Sequence, residues 1–433
     1  MGRRRGSREQ RSRRTRKPRA SRAEVSAAPA PLSKGGERPS AGAELDRLVA
    51  RYVRLKRELV EFVQHRFTTV IVEKAQGLSP DGIISEAEIA QATEAVLHKG
   101  SEAIDAFLAA HPGLRGPDRA LVRSWREGVT GLFRPKGRDG RLLELHNLVD
   151  DLDYHTVVSS DDPRAWQQLG ETSCFISHLV PLGALWTLSG TQHTLDLPDP
   201  RLADGLAAEM AQDSPALFFR NPEHLARGWE AMRKHHEAFL ARFGNSWVVG
   251  PPGEIDRLHR EMLADKLRER AADGVVEGIA PELRNAAKAN QDRLERFELP
   301  ASLMEAETLG MLSHPLEGLM FCPDFARFLA AFEDPELGRD PEHREVVLGY
   351  LESDTIPPAV IEMTAGLDPG RAGALLAIVL EQPTFDWNRD AEALLRRFKP
   401  GCFERPPLPS IVPLPHRMAE GLLALQQRAS RAP

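Results

Sequence analysis

RLLELHNLVDDLDYHTVVSS, residues 141–160, and CFISHLVPLGALWTLSGTQHT, residues 174–194, form the stretch on which the fold class turns. Short apolar runs are broken here about every ten residues by turn chemistry: Gly137-Arg138-Asp139-Gly140, Asp150 to Asp153, Gly183 and Gly190. Runs of that length, with periodicity shorter than a helix allows, predict strands at Arg141–Val149, Tyr154–Ser159, Cys174–Pro181 and Leu185–Thr194. Four or five such strands with close connections predict a small antiparallel sheet or barrel over residues 131–198. A unit of fewer than about 70 residues buries too little surface to stand alone, so neighbouring helices must support it.

Working outward, the sequence on both sides is helical. The chain has 433 residues, 41% hydrophobic, 6% aromatic and 28% charged, with Leu and Ala dominating. Leu45, Leu48, Tyr52, Leu55, Leu59 and Phe62 step by three and four, a helical stripe leaving Arg47, Arg54, Arg57 and Glu58 wet. The stripe is too short for a coiled coil and is read as packing on the chain's own body. Ser85 stands three before Glu88, a reciprocal capping pattern, and opens a helix read as continuous from Ala87 to Ala110. A third helix is predicted over Asp118 to Glu127. Beyond Asp199, helices are predicted at Arg201–Ala211, Pro222–Phe243, Glu254–Ala272 and Pro281–Phe297, then shorter ones to Arg397, with Pro and Gly setting their ends. The Pro-rich run from Pro406 to Pro415 must be extended and is read as a strap on the protein's own surface, with an aromatic groove on a partner protein as its other use.

The expected architecture is therefore mainly α with a small antiparallel β insertion, an α+β multi-helical body behind a disordered basic N-terminal tail. Its parts are 1–42 (tail), 43–130 (helical), 131–198 (β), 199–400 (helical) and 401–433 (strap and terminal helix). Cys174, Cys322 and Cys402 are odd in number and far apart, which points to a reducing compartment. No apolar run approaches the length of a spanning helix, and no signal peptide follows the basic start, so a cytoplasmic protein is expected.

The tail is a different object from the body. Between Met1 and Gly42 there are 13 Lys and Arg against three acidic residues, although the whole chain carries a net charge of −6. Arg3, Arg4, Arg5, Arg13, Arg14, Arg16 and Lys17 stud a stretch with almost no apolar residue, so it cannot fold by itself. Such a cation suits the phosphates of DNA or RNA; without interleaved aromatics its binding is expected to be nonspecific.

Other constellations stand or fall on their spacing. His146, His155, His178 and His193 fall one per predicted strand, and their convergence would make a zinc or iron site. Gly77 to Glu88 has the outline of a calcium loop, but Gly77 stands where the first carboxylate belongs, and capping by Ser85 and Glu88 accounts for the same residues. Cys174 and His178 are about 13 Å apart along a strand, too far for a nucleophile and its base. His236-Glu237 has Leu240 where a zinc-protease helix needs its second histidine, and Gly250 lacks the Gly-Lys that would follow in a phosphate loop. His314 and Glu317 could form an acid–base couple, but a turn between core helices explains them more simply. With no reactive constellation passing its spacing test, the reading is a binding or scaffold protein, more a non-enzyme than an enzyme, whose arm contacts nucleic acid. The alternatives are a metal-binding protein or metalloenzyme built on the strand histidines and a protein–protein interaction module without nucleic acid.

Overall fold

The computed structural model describes residues 41–79, 84–158, 174–272, 299–404 and 406–431. Arg3, Arg4, Arg5, Arg13, Arg14, Arg16 and Lys17, the middle of the calcium-like loop and the helix expected at Pro281–Phe297 lie outside them. The chain divides into two units, Met1–Arg47 and Leu48–Pro433; of the first, the described part is the opening of helix α1.

α1 (Ala41–Arg66) buries Val49, Tyr52, Leu55, Leu59 and Val63, the stripe its spacing predicts. The β-branched run after it forms a separate helix, α2 (Thr68–Leu78). α3 (Glu86–Leu97) begins at the expected capping box, with Ser85 and Glu88 each satisfying the other's backbone N–H. The helix expected to run on to Ala110 instead stops at Leu97. Gly100, at φ +75°, turns the chain into α4 (Glu102–Ala110), a conformation only glycine adopts without strain. α5 (Gly116–Ser124) and a 3₁₀ turn, Trp125–Glu127, lead into the sheet.

Five strands follow: β1 (Val129–Asp139), β2 (Leu142–Asn147), β3 (Leu152–Val157), β4 (Cys174–Leu182) and β5 (Leu185–Leu195). They close into a barrel in the order β1-β2-β3-β5-β4, β1 pairing with β4 to complete the ring. All pairings are antiparallel except β3 with β5, which is parallel, a correction to the purely antiparallel expectation. Strand order and the single parallel pair give the barrel the connectivity of an OB fold. Its interior holds Phe133, Leu143, Leu145, Tyr154, Phe175, Leu179 and Leu188. Closure removes the sheet edges that a unit this small could not otherwise protect.

α6 (Pro200–Asp213) and α7 (Pro222–Phe243) start with the same device, Asp199 and Asn221 as caps followed by proline at the first helical position. The region expected to be purely helical then contains a second sheet, β6 (Trp247–Gly250), β7 (Leu309–His314) and β8 (Gly318–Pro323), antiparallel throughout. α8 (Pro252–Ala272) follows β6. Ser313 to Gly318 is thus the tip of a strand hairpin, not a turn between helices. β7 is buried on both faces except at His314, so no alternation betrays it in the sequence. α9 (Phe325–Glu333), α10 (Pro341–Glu352), α11 (Pro358–Ala365), α12 (Pro369–Val379) and α13 (Trp387–Phe398) pack around Phe325, Phe328, Tyr350 and Leu375. The Pro-rich strap lies on the body: Pro409 is seated where a side chain on Gly228 would collide with it, and Val412 and Leu414 join the apolar layer outside the barrel. α14 (His416–Arg431) then packs along α6. Among the described residues no helix is long and apolar enough to cross a membrane.

Candidate functional site

Thr130 on β1, His178 on β4 and Ser189 on β5 are register partners, one beside the next across three adjacent strands on the outer wall of the barrel. Their neighbours Val129, Leu179 and Leu188 point inward. This polar row is covered by helices, not left to water. α3 supplies Glu94, with His98 capping its C-terminus one turn on, and α1 supplies Tyr52 and Lys56 at the same spacing.

The groups engage one another closely. Lys56 Nζ donates to Glu94 Oε2 at 2.8 Å and to Ser189 Oγ at 2.9 Å. His98 Nε2 lies 2.9 Å from the same carboxylate oxygen, and its ring stacks on His178 with centroids 3.4 Å apart. His178 Nδ1 is 2.8 Å from Thr130 Oγ1, and Tyr52 donates its hydroxyl to the Leu188 carbonyl at 2.9 Å. A carboxylate can only accept, so His98 carries its proton on Nε2, which leaves Nδ1 as a lone pair with no partner among the described residues.

Two glycines make the arrangement possible. A side chain on Gly128 would place its Cβ 2.2 Å from His178 Nε2. Gly190, at φ +80°, sits where the β4–β5 register shifts, and its missing side chain admits Glu94, 2.9 Å from the Cβ it lacks. The irregularity re-aims Ser189 toward the helices.

Electrostatics follow from burial. Burial pushes His178 down to about 2, with the charges of His98, Lys56 and Arg220 adding to the effect. Burial also lowers His98, against the opposing hydrogen bond to Glu94, and lowers Lys56, against the attraction of Glu94. Burial alone would raise Glu94; the hydrogen bond from His98 and the charge of Lys56 outweigh it and hold the carboxyl at about 2. The result is two neutral imidazoles beside an intact ion pair. Lys56 is held by Glu94 and Ser189 is buried, so the Lys–Ser contact is a lock between helices and barrel, not a base serving a nucleophile.

His98, Thr130 and His178 form one wall of a cleft of about 680 Å³. A second groove, about 410 Å³, runs along α1 past Lys56 and Gly190.

The four strand histidines do not converge. His178 is in the cluster just described; His146 lies 3.2 Å from Asp151 and 2.8 Å from Asp153; His155 and His193 are exposed. His146 thereby belongs to a clasp in which Arg417 of α14 reaches Asp151 at 2.7 Å and Asp204 at 2.6 Å, tying the last helix to the β2–β3 turn and to α6. Hydrogen bonds from His146 and His224 hold Asp151 well below the usual carboxylate range, and the same contact with Asp151 raises His146. Among the described residues no group of three or more His, Cys, Asp or Glu is disposed to hold a metal ion. His314 Nδ1 accepts the backbone N–H groups of Leu316 and Glu317, both at 3.3 Å, so this ring nitrogen serves its own hairpin. The central residues Lys56, Glu94, His98 and Ser189 escape a sequence reading because their partners are up to 133 positions away. The one local signal was Glu94 and His98 at helical spacing. Comparison with protein-family models, with curated proteins and with solved structures finds no match to this chain.

Proposed function

We propose that this chain is a non-enzymatic binding protein whose N-terminal arm engages nucleic acid without regard to sequence. The observation that carries this reading is the charge segregation: 13 basic residues against three acidic ones from Met1 to Gly42, in a chain of net charge −6. Each Lys or Arg that neutralises a phosphate releases a counterion, which gives affinity that needs no fold and falls steeply with salt. The barrel adds support of shape alone. Barrels of this connectivity carry oligonucleotides or oligosaccharides on the β2–β3 face, yet one fold hosts many functions. Here Glu144, His146, Asp153 and His155 line that face beside Arg134 and Lys136, while Phe133 and Tyr154 are buried. Without an aromatic platform for bases, phosphate contacts from the arm must supply the affinity.

A gel shift with random duplex DNA and random RNA at low salt tests the reading. Full-length protein retards both, and protein beginning at Ala43 retards neither; the logarithm of the binding constant falls with log salt by about 0.9 for each duplex phosphate engaged. Failure of the full-length protein to bind, or equal binding by both proteins, overturns it.

A further inference from the structure

The geometry points to the cleft beside His98 as a binding site for a neutral, planar heteroaromatic group bearing an amino donor, a nucleobase being the natural representative. Three features converge on that chemistry. The walls are apolar and π-bearing: Leu97, Met210 and Leu217 stand with Trp125 and the imidazoles of His98 and His178. Such surfaces favour flat ring systems, through stacking and through sulfur–aromatic contact at Met210. The polar atoms offer both an acceptor and a donor: Trp125 Nε1 is a buried N–H without a partner among the described residues, and Ser214 adds a hydroxyl. His98 turns its Nε2–H to Glu94 and keeps the Nδ1 lone pair, and Asp213 places a carboxylate on the rim. A lone pair and an N–H donor in one cleft call for a ligand edge that carries both an amino donor and a ring-nitrogen acceptor.

The cleft also offers little for an anion. Its two histidines are uncharged, and its cation, Arg126, is paired with Asp105. Phosphate recognition is therefore not its chemistry, which separates it from the arm. Its volume, about 680 Å³, falls in the usual range of small-ligand sites, about 300–1,000 Å³. The site lies on the β1–β4–β5 wall of the barrel, away from β2–β3.

Adenosine and cytidine, which carry the amino donor and no phosphate, are the probes, titrated into full-length protein while the His98 imidazole resonances are followed by NMR. Both nucleosides shift those resonances, and protein beginning at Ala43 binds them equally well, because the arm takes no part. His98→Gln keeps a donor for Glu94 but removes the ring face and moves the acceptor off the Nδ1 position, and weakens binding roughly tenfold while the melting temperature stays close to that of the parent. Thr130→Val, on the cleft wall, provides a second variant should His98→Gln unfold. Absence of any shift at millimolar nucleoside, or undiminished binding by a folded variant of either kind, overturns the inference. Neither result touches the arm, whose own test uses phosphate-bearing polymers.

Discussion

Glu94 is the residue on which the helices and the barrel meet. One of its oxygens accepts both from Lys56 and from His98, and its side chain is one-fifth exposed. Removing Lys56 therefore leaves a mostly buried carboxylate facing a neutral imidazole. Breaking a fully buried pair in this way destabilises by about 3–5 kcal/mol, and partial exposure of both groups lowers the expectation to about 2 kcal/mol for Lys56→Met. Lys56→Met combined with Glu94→Gln should recover part of that loss, since the orphaned charge goes with its partner. Urea midpoints at constant slope measure both. A Lys56→Met protein as stable as the parent, or a double variant whose losses simply add, would show that the pair has no coupling. The same scale explains why the site was invisible in the sequence. Spacing marks His178 only as one of four strand histidines, whereas its neighbour His98 is 80 positions away, at the cap of a helix that the sequence pattern extends to Ala110.

At the scale of elements, most local signals match the structure, the exception being the Ala87–Ala110 helix, which Gly100 divides. The α1 stripe, the Ser85–Glu88 box and most strand positions depend on spacing within a few residues, and the structure has them. The other differences depend on distant partners. Closure of the barrel rests on the parallel β3–β5 pair, and β7 is hidden because burial on both faces erases its alternation. Mid-helix glycines are a third instance. Gly205 in α6 and Gly421 in α14 look like weak points, yet they are where the two helices touch backbone to backbone: a Cβ on Gly421 would lie 2.2 Å from the Gly205 nitrogen and 2.6 Å from the Arg201 carbonyl oxygen. Two opposing effects then decide the outcome of Gly421→Ala. Helix propensity gains about 1 kcal/mol. Separation of two packed backbones loses more, about 1–3 kcal/mol before the clasp at Arg417 is disturbed as well. The variant should be net less stable, and amide exchange along α14 should quicken. An unchanged or raised midpoint would mean that the helices do not cross this closely.

Across the whole molecule, the common electrostatic feature is histidine held neutral by burial. His98 and His178 lie against the barrel, while His235, pushed down to about 4, His259 and His314 are shifted the same way in the C-terminal part. In the unfolded chain each regains an ordinary pKa of about 6.5, so below that pH unfolding takes up protons that the native state refuses. Each such histidine removes about 1.4 kcal/mol per pH unit between its unfolded and folded pKa; their contribution is fully present above about pH 6.5 and is lost as the pH falls. His146 runs the other way. Raised by Asp151 and Asp153, it contributes stability below about pH 6.5 that is lost as the pH rises through its folded value. The carboxyls of Asp150, Glu317 and Glu362, raised by burial, act in the same sense, so four groups oppose five. Glu94, held at about 2, and Asp151 add a further loss only below about pH 4.5, where the unfolded carboxyls begin to protonate. Stability should therefore fall from pH 7 to pH 5, the depressed histidines outweighing His146 and the raised carboxyls of Asp150, Glu317 and Glu362. Urea midpoints across that interval, at constant slope, should drop for the parent protein and drop less for His178→Gln, which has one proton fewer to take up. A parent and a His178→Gln protein whose midpoints change equally from pH 7 to pH 5 would mean that His178 charges freely in the native state, and the neutral imidazole pair would lose its basis.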